Sequence, residues 1–176
     1  MSARLILRPV PWAAVRAINA GHRLEDWADD YPGDGDVVIA GLLQGADQAV
    51  GLEAGQATTG QAAGQAGAAF PDEAWGHRQV VERASGLVVG GIGFFGPPHG
   101  GEAEIGYGIV PSRQGRGYAT EALRTMIAMA WADSRVRAVV AGTDPGNVAS
   151  QRVLEKAGFR RIAAAGEFRY QLTRPA

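Results

Sequence analysis

The sequence predicts an α+β fold, with a mixed, mostly antiparallel central sheet flanked by helices. Three observations carry this expectation. Residues 77–95 read as a β-hairpin, residues 103–158 read as strand, helix, strand, helix, and 176 residues suit a single domain. A chain of that length buries roughly 70% of its unfolded surface, so one core needs no covalent staples.

Leu5 to Arg8 is a first strand, and Ala13 to Ala20 is a short helix that starts after Pro11. Residues 21–36 mix acids with Trp27, Tyr31 and Pro32 and read as irregular; Val37 to Gln44 continues as helix. From Gly45 to Ala69 the chain becomes Gly, Ala, Gln and Thr with almost no large apolar side chain. Burial there cannot offset the entropy of ordering. The tract at about 45–69 is therefore read as a flexible low-complexity insertion within one domain spanning 1–176. The alternative, an Ala-rich helix around Ala49 to Ala57, is weakened by its glycines.

His77 to Glu82, a turn at Ser85-Gly86, and Leu87 to Phe95 form the hairpin. A Pro/Gly loop leads to a strand over Ala103 to Val110. Gly117 to Trp131 sets Ala119, Ala122, Leu123, Met126, Ile127 and Ala130 at helical spacing. Val136 to Ala141 is a strand, and Asn147 caps a helix that ends at Gly158. Phe159 to Ile162 and Phe168 to Leu172 close the chain, while Trp75, Trp131, Phe94 and Phe95 are expected in the core.

Composition removes several function classes. A net charge of -1 gives no broad basic field for nucleic acid or an anionic membrane. The absence of cysteine excludes disulfides, thiolate metal sites and a cysteine acyl-enzyme. His22, His77 and His99 share no short spacing, so no metal site is expected. The apolar run at the amino terminus is too short for a signal-peptide core, and no window reaches the ~18 residues of a membrane span. The expectation is a cytoplasmic protein. Lys156 is the single lysine among 17 basic residues, which with abundant Ala and Gly reads as GC-rich bacterial coding.

The informative segment runs Ile109-Val110-Pro111-Ser112-Arg113-Gln114-Gly115-Arg116-Gly117-Tyr118-Ala119-Thr120. A strand ends, a glycine-rich turn follows and a helix begins. Glycines let backbone approach an anion, and the first-turn N–H groups of the helix point at it with a favourable dipole. Arg113 and Arg116 can add charge-assisted bonds. A P-loop would need Gly-Lys-Ser/Thr where Gly-Tyr-Ala stands. A dinucleotide fingerprint would need a third glycine at Thr120 and an acid ending the next strand.

Gln114-Gly115-Arg116-Gly117-Tyr118-Ala119 resembles the Q/R-x-x-G-x-G/A coenzyme A motif of the GNAT superfamily. Ala103-Glu104-Ile105-Gly106-Tyr107 before it resembles the RimJ/RimL-like branch, as does Asn147-Val148-Ala149-Ser150-Gln151-Arg152 through Gly158-Phe159 after it. The resemblance implies an N-acetyltransferase that moves acetyl from acetyl-CoA to a primary amine, a protein N-terminus or a small molecule. The alternatives are a coenzyme A-binding sensor without turnover and a transferase with another acyl donor. The branch is often dimeric.

The same resemblance implies that coenzyme A lies in a V between the Ala103–Val110 and Val136–Ala141 strands. Its pyrophosphate would rest on Gln114, Gly115, Arg116, Gly117, Tyr118, Ala119 and Thr120, and its pantetheine along Ile109 and Val110, with Asn147 near its amides. A main-chain N–H near that strand's end would polarise the thioester carbonyl. Glu104 stands where several superfamily members carry the general base, on the face of Gly106 and Gly108; Glu167 is the competing carboxylate. Ser150 resembles a serine proposed to protonate the departing thiolate, beside the plainer reading of a local helix-terminus bond. Tyr118 is expected to wall the cofactor groove and Tyr107 to be a sheet-face residue. Glu25, Asp26, Asp29, Asp30, Asp34 and Asp36 crowd the segment that the resemblance sets at the acceptor mouth, pointing to a cationic amine.

Overall fold

A computed structural model of the chain describes residues 3–54, 75–162 and 168–175. Strands β1 (Leu5–Pro9), β2 (His77–Glu82), β3 (Val88–Phe94), β4 (Glu102–Ile109), β5 (Ala138–Thr143), β6 (Arg160–Ile162) and β7 (Phe168–Thr173) form one sheet. Its order is β1-β2-β3-β4-β5-β7-β6. Every neighbouring pair is antiparallel except β4 and β5, which run parallel. The crossover between them holds helix α3 (Tyr118–Ala130), because parallel neighbours need a long connection and a helix supplies it. Helices α1 (Trp12–Asn19), α2 (Asp34–Ala54) and α4 (Val148–Lys156) complete the layers.

The amphipathic stripe read from the sequence is the buried face of α3. Ala122, Leu123, Met126, Ile127 and Ala130 are all buried, and α3 packs on β1, β3 and β4. There they meet a core that includes Ile92, Phe94, Ala103 and Ile105. Fully burying each large apolar side chain contributes about 1.5–3 kcal/mol, which outweighs the weak intrinsic preferences of single residues. Helix α2 packs on α1 and on β3 and β4. Trp75 and Phe94 lie in the core as expected, edge to face at 4.9 Å. Phe95 does not; it is 54% exposed, because the alternation that buries Phe94 turns its neighbour to the other face of the sheet.

The boundaries that differ most from the sequence reading are those of α2, which starts at Asp34 rather than Val37, and of β5, which is shifted two residues onward to Ala138–Thr143. Helix α2 continues through Gly45 to Ala54, so the first ten residues of the tract read as a flexible insertion are helical. A helix already nucleated from Asp34 adds one hydrogen bond per residue, and Leu, Gln and Ala tolerate this despite the cost of Gly45 and Gly51. The rest of that tract, residues 55–69, lies outside the described residues. No helix among the described residues is long and apolar enough to cross a membrane.

Candidate active site

Strands β4 and β5 stay paired only from Glu102/Ala138 to Glu104/Val140. Beyond that point β4 continues to Ile109 beside β3, and β5 continues to Thr143 beside β7. The strands splay into a V, and the edge of β4 facing the gap has no strand partner among the described residues. A groove of about 410 Å³ opens there, walled by Tyr107, Gly108 and Ile109, by the turn from Arg113 to Gly117, and by the starts of α3 and α4.

The turn before α3 has the backbone the glycines suggested. Gly115 and Gly117 take φ of +72° and +79°, a left-handed conformation that favours glycine. No side chain caps the start of α3, so its first-turn N–H groups remain directed at the groove. Of the sequence-predicted cofactor residues, Ile109, Gln114, Gly115, Gly117, Tyr118, Ala119, Thr120 and Asn147 line this groove. Val110 and Arg116 do not: Val110 is buried in the core, and Arg116 turns toward Glu82. The Gln114 side-chain amide donates to the Ile109 carbonyl at 2.8 Å, tying the turn back to β4.

Glu82, at the end of β2, is the residue the sequence did not mark. Its buried carboxylate accepts from Ser85 Oγ at 2.6 Å and from the Tyr118 hydroxyl at 2.5 Å. Arg113 Nε and Arg116 Nη1 each stand 3.4 Å from it. The Ser85 bond, then the Tyr118 bond, hold its carboxyl below the usual range. One carboxylate thus positions both turn arginines and the first residue of α3. No local pattern announces this, because the partners come from three separate elements.

At the other wall, Asn147 caps α4 by accepting from Ser150 N at 3.0 Å. Ser150 lines the groove, and its Oγ lies 3.0 Å from the Tyr107 hydroxyl. That hydroxyl also donates to the Ser150 carbonyl at 3.2 Å. Burial pushes the Tyr107 phenol up to about 12, so it keeps its proton at neutral pH. Tyr107 is therefore more than a sheet-face residue.

A second cavity of about 280 Å³ lies against α2 and shares only Tyr107 and Gly108 with the groove. Asp36 lines it, as do His77 and Phe95. Desolvation pushes the Asp36 carboxyl up to about 6 and the His77 imidazole down to about 4. Glu104 shares the face of Gly106 and Gly108, as alternation predicts. It sits at the apex of the V, is exposed, and lines neither cavity. Glu167 lies outside the described residues.

The acids of this segment take separate local partners. Asp26 pairs with Arg8 at 2.5 Å, Asp29 with Arg23 at 3.3 Å, and Asp30 accepts from Ser112. Asp36 turns inward, and only Glu25 and Asp34 are left as exposed acids without a partner shown. A sequence signal for the Asp36 site existed in Gly90-Gly91-Ile92-Gly93. Glycines inside a strand mark close approach, and here Cβ atoms at Gly91 and Gly93 would strike Asp36 and His77.

Residues 4–160 match the acetyltransferase (GNAT) domain family. The chain belongs to that family. Over 92 residues it is 33% identical to the uncharacterized N-acetyltransferase YjdG of Bacillus subtilis, a match covering 52% of this chain and 55% of the relative. The chain thus spans about half the length of that curated relative. The GNAT-family acetyltransferase from Bacillus anthracis shares the fold, with a TM-score of 0.61 at 18% identity over 98% of this chain and 96% of that one. Mycobacterium smegmatis RimJ in complex with CoA-disulfide gives a TM-score of 0.57 at 24% identity, covering 96% of this chain and 81% of that one. The mixed sheet, the α3 crossover and the V between β4 and β5 are the GNAT architecture that the sequence motifs led one to expect.

Proposed function

We propose that this chain transfers the acetyl group of acetyl-CoA to a primary amine by direct attack within a ternary complex. The observation that carries this reading is the meeting of two cavities at Tyr107 and Gly108, on the open edge of β4. A thioester held in the groove and an amine held in the α2-side cavity would face each other there. No enzyme-bound acyl group is needed, and no cysteine exists to carry one.

The roles follow from position. The N–H groups at the start of α3 and the turn from Gln114 to Gly117 would take the pyrophosphate, an anion suited to a helix N-terminus. The pantetheine arm would run along Ile109 as an added strand. A main-chain N–H near the end of β4 would bond the thioester oxygen as negative charge develops on it. Ser150, with Tyr107 beside it at 3.0 Å, would supply a proton to the departing sulfur. A coenzyme A sensor would need the groove alone; the second cavity opening onto the same two residues favours transfer.

Calorimetry with acetyl-CoA and thiol release with an amine panel test this directly. Acetyl-CoA at 100 times its Kd should stabilise the fold by about 2.7 kcal/mol. Gly117→Asp would add negative charge at the phosphate end and should abolish binding; a side chain there meets the Arg4 guanidinium at 3.6 Å, but the left-handed backbone at φ +79° strains it, so the variant's fold is checked by its Tm. Wild-type affinity in that variant would refute the groove assignment.

A further inference from the structure

Among the described residues, the α2-side cavity carries one carboxylate in an otherwise mainly apolar wall. Val10, Ile18, Val38, Ile39, Ile92 and Phe95 supply the apolar surface. Asp36 stands in the first turn of α2, where Oδ2 accepts from Gly33 N at 3.1 Å and Oδ1 lies 3.5 Å from the Tyr31 hydroxyl. Oδ1 also hangs over β3: a Cβ on Gly91 would come within 2.2 Å of it. Gly91 pairs directly with Gly108, one of the two residues both cavities share. Paired Cα atoms in antiparallel strands stand about 4.5–5.5 Å apart. The carboxylate is therefore one strand away from the point where groove and cavity meet.

Resting on the transferase reading above, we infer that this cavity is the acceptor site. It takes a primary monoamine with a compact apolar substituent, and Asp36 receives the amine's proton. The volume, about 280 Å³, falls at the lower edge of the ~300–1,000 Å³ found for drug-sized ligands, which suits a small substituent. A polyamine would bring a second cation toward Arg78, with no second carboxylate among the described residues of the wall to receive it. An amino sugar would set several hydroxyls against aliphatic side chains that offer them no hydrogen bond.

The transfer then balances as follows. The amine enters as an ammonium and gives one proton to an Asp36 oxygen. The freed lone pair bonds to the thioester carbonyl carbon, and the C–S bond breaks with its electron pair leaving on sulfur. A second N–H proton is lost as the amide forms and reaches the sulfur through the Tyr107–Ser150 side. Asp36 returns its proton to water, so the products are the N-acetyl amine, the free thiol and one proton.

The ionisable groups around Asp36 fit this role. His77 on β2 is neutral above about 4 because of its burial, so it does not compete for the ammonium. Burial raises the Tyr31 phenol, which stays protonated. Arg78 on β2 lines the cavity, Arg8 on β1 is paired with Asp26, Asp34 on α2 is exposed, and Glu104 on β4 lies outside the cavity. Asp36 itself is pushed up to about 6, so it is ionised at neutral pH and close enough to neutrality to exchange a proton.

The test uses the full chain, acetyl-CoA and thiol release between about pH 5 and 9, with phenethylamine, spermidine, glucosamine, and peptides led by Phe or by Asp. Phenethylamine or the Phe-led peptide should exceed spermidine and glucosamine in kcat/KM by about tenfold or more, and the two apolar probes distinguish a free amine from a chain terminus. Asp36→Asn preserves the shape and the bond from Gly33. It should lower kcat/KM about 100-fold and remove the acid limb near pH 6, with acetyl-CoA affinity by calorimetry unchanged. Preference for spermidine or glucosamine overturns the proposal. So does an Asp36→Asn enzyme that keeps rate and limb, or a limb that disappears in Glu104→Gln instead. Acetyl-CoA binding without turnover of any apolar amine overturns the pocket assignment alone; failure to bind acetyl-CoA overturns the groove reading beneath it.

Discussion

The Asp30 carboxylate receives both the backbone N–H and the hydroxyl of Ser112, each at 2.7 Å. Asp30 belongs to the segment between α1 and α2, and Ser112 to the short turn Pro111–Arg113 that leads into the glycine turn before α3. One residue thus latches the segment proposed to face the acceptor to the loop proposed to hold the cofactor.

Breaking that latch should affect both substrates. In Asp30→Ala, the KM for acetyl-CoA and the KM for the amine should each rise several-fold, with a lower Tm. The bond from Ser112 N leads the effects that hold the Asp30 carboxyl below its usual range. A depressed carboxylate stabilises the fold above its unfolded pKa, about 3.9, and the benefit is lost as pH falls through the folded value. The Tm gap between wild type and variant should therefore be full at neutral pH and close in strong acid. A gap that persists unchanged at about pH 2 would contradict the assignment.

Asp36 should show the opposite dependence. Its folded pKa, about 6, lies above the unfolded value, so the folded state binds more protons between about 4 and 6. Its charged form therefore costs stability that increases as pH rises through that window. Asp36→Asn should be more stable than wild type at pH 7.5, by up to ~3 kcal/mol, and equal to it near pH 4. Urea denaturation of both proteins at the two pH values is the measurement. A less stable Asn variant at neutral pH would show that the ionised carboxylate is compensated after all.

Glu82 should behave as a structural hub for the cofactor loop. Glu82→Ala leaves Tyr118, Ser85 and two arginines without their common acceptor. A cost of about 2–3 kcal/mol is expected, below the ~3–5 of a fully buried pair because Arg116 is half-exposed. Acetyl-CoA affinity should fall with it. Glu82→Gln keeps an acceptor for Tyr118 but not the charge, so it should recover part of the stability and less of the affinity.

Tyr107 and Ser150 should act as a unit. Tyr107→Phe and Ser150→Ala are each expected to lower kcat about 100-fold at unchanged acetyl-CoA Kd. The double variant should lose little more than either single one, since groups in one hydrogen-bonded pair are not additive. Multiplicative losses in steady-state kinetics would separate their roles. With the phenol near 12, neither the wild type nor Ser150→Ala should show a tyrosine limb below about pH 10.

Gly108→Ala offers a steric test. An added Cβ there meets nothing within 4 Å, so the fold should tolerate it. The methyl group would project on the Asp36 face, where the two cavities join. The amine KM should rise about tenfold or more, while thermal stability stays within one or two degrees of wild type, as expected for a surface change. An unaffected amine KM would move the acceptor path elsewhere.

Local order along the chain determined the sheet elements, the amphipathic face of α3, the Asn147 cap and the glycine turn before α3, because each depends on neighbours a few residues away. Those same residues were enough to indicate the family and most of the groove. What only the tertiary structure decided involves contacts between distant segments. Glu82 gathers Tyr118, Arg113 and Arg116 across more than thirty residues of sequence, and Tyr107 reaches Ser150 from another element. Asp36 was one of six acids between residues 25 and 36 until folding placed it over Gly91, largely desolvated, while Asp26, Asp29 and Asp30 found arginines or a backbone N–H. Charge is written in the sequence, but desolvation, which decides where a carboxylate titrates and what it can bind, is a property of the packed chain.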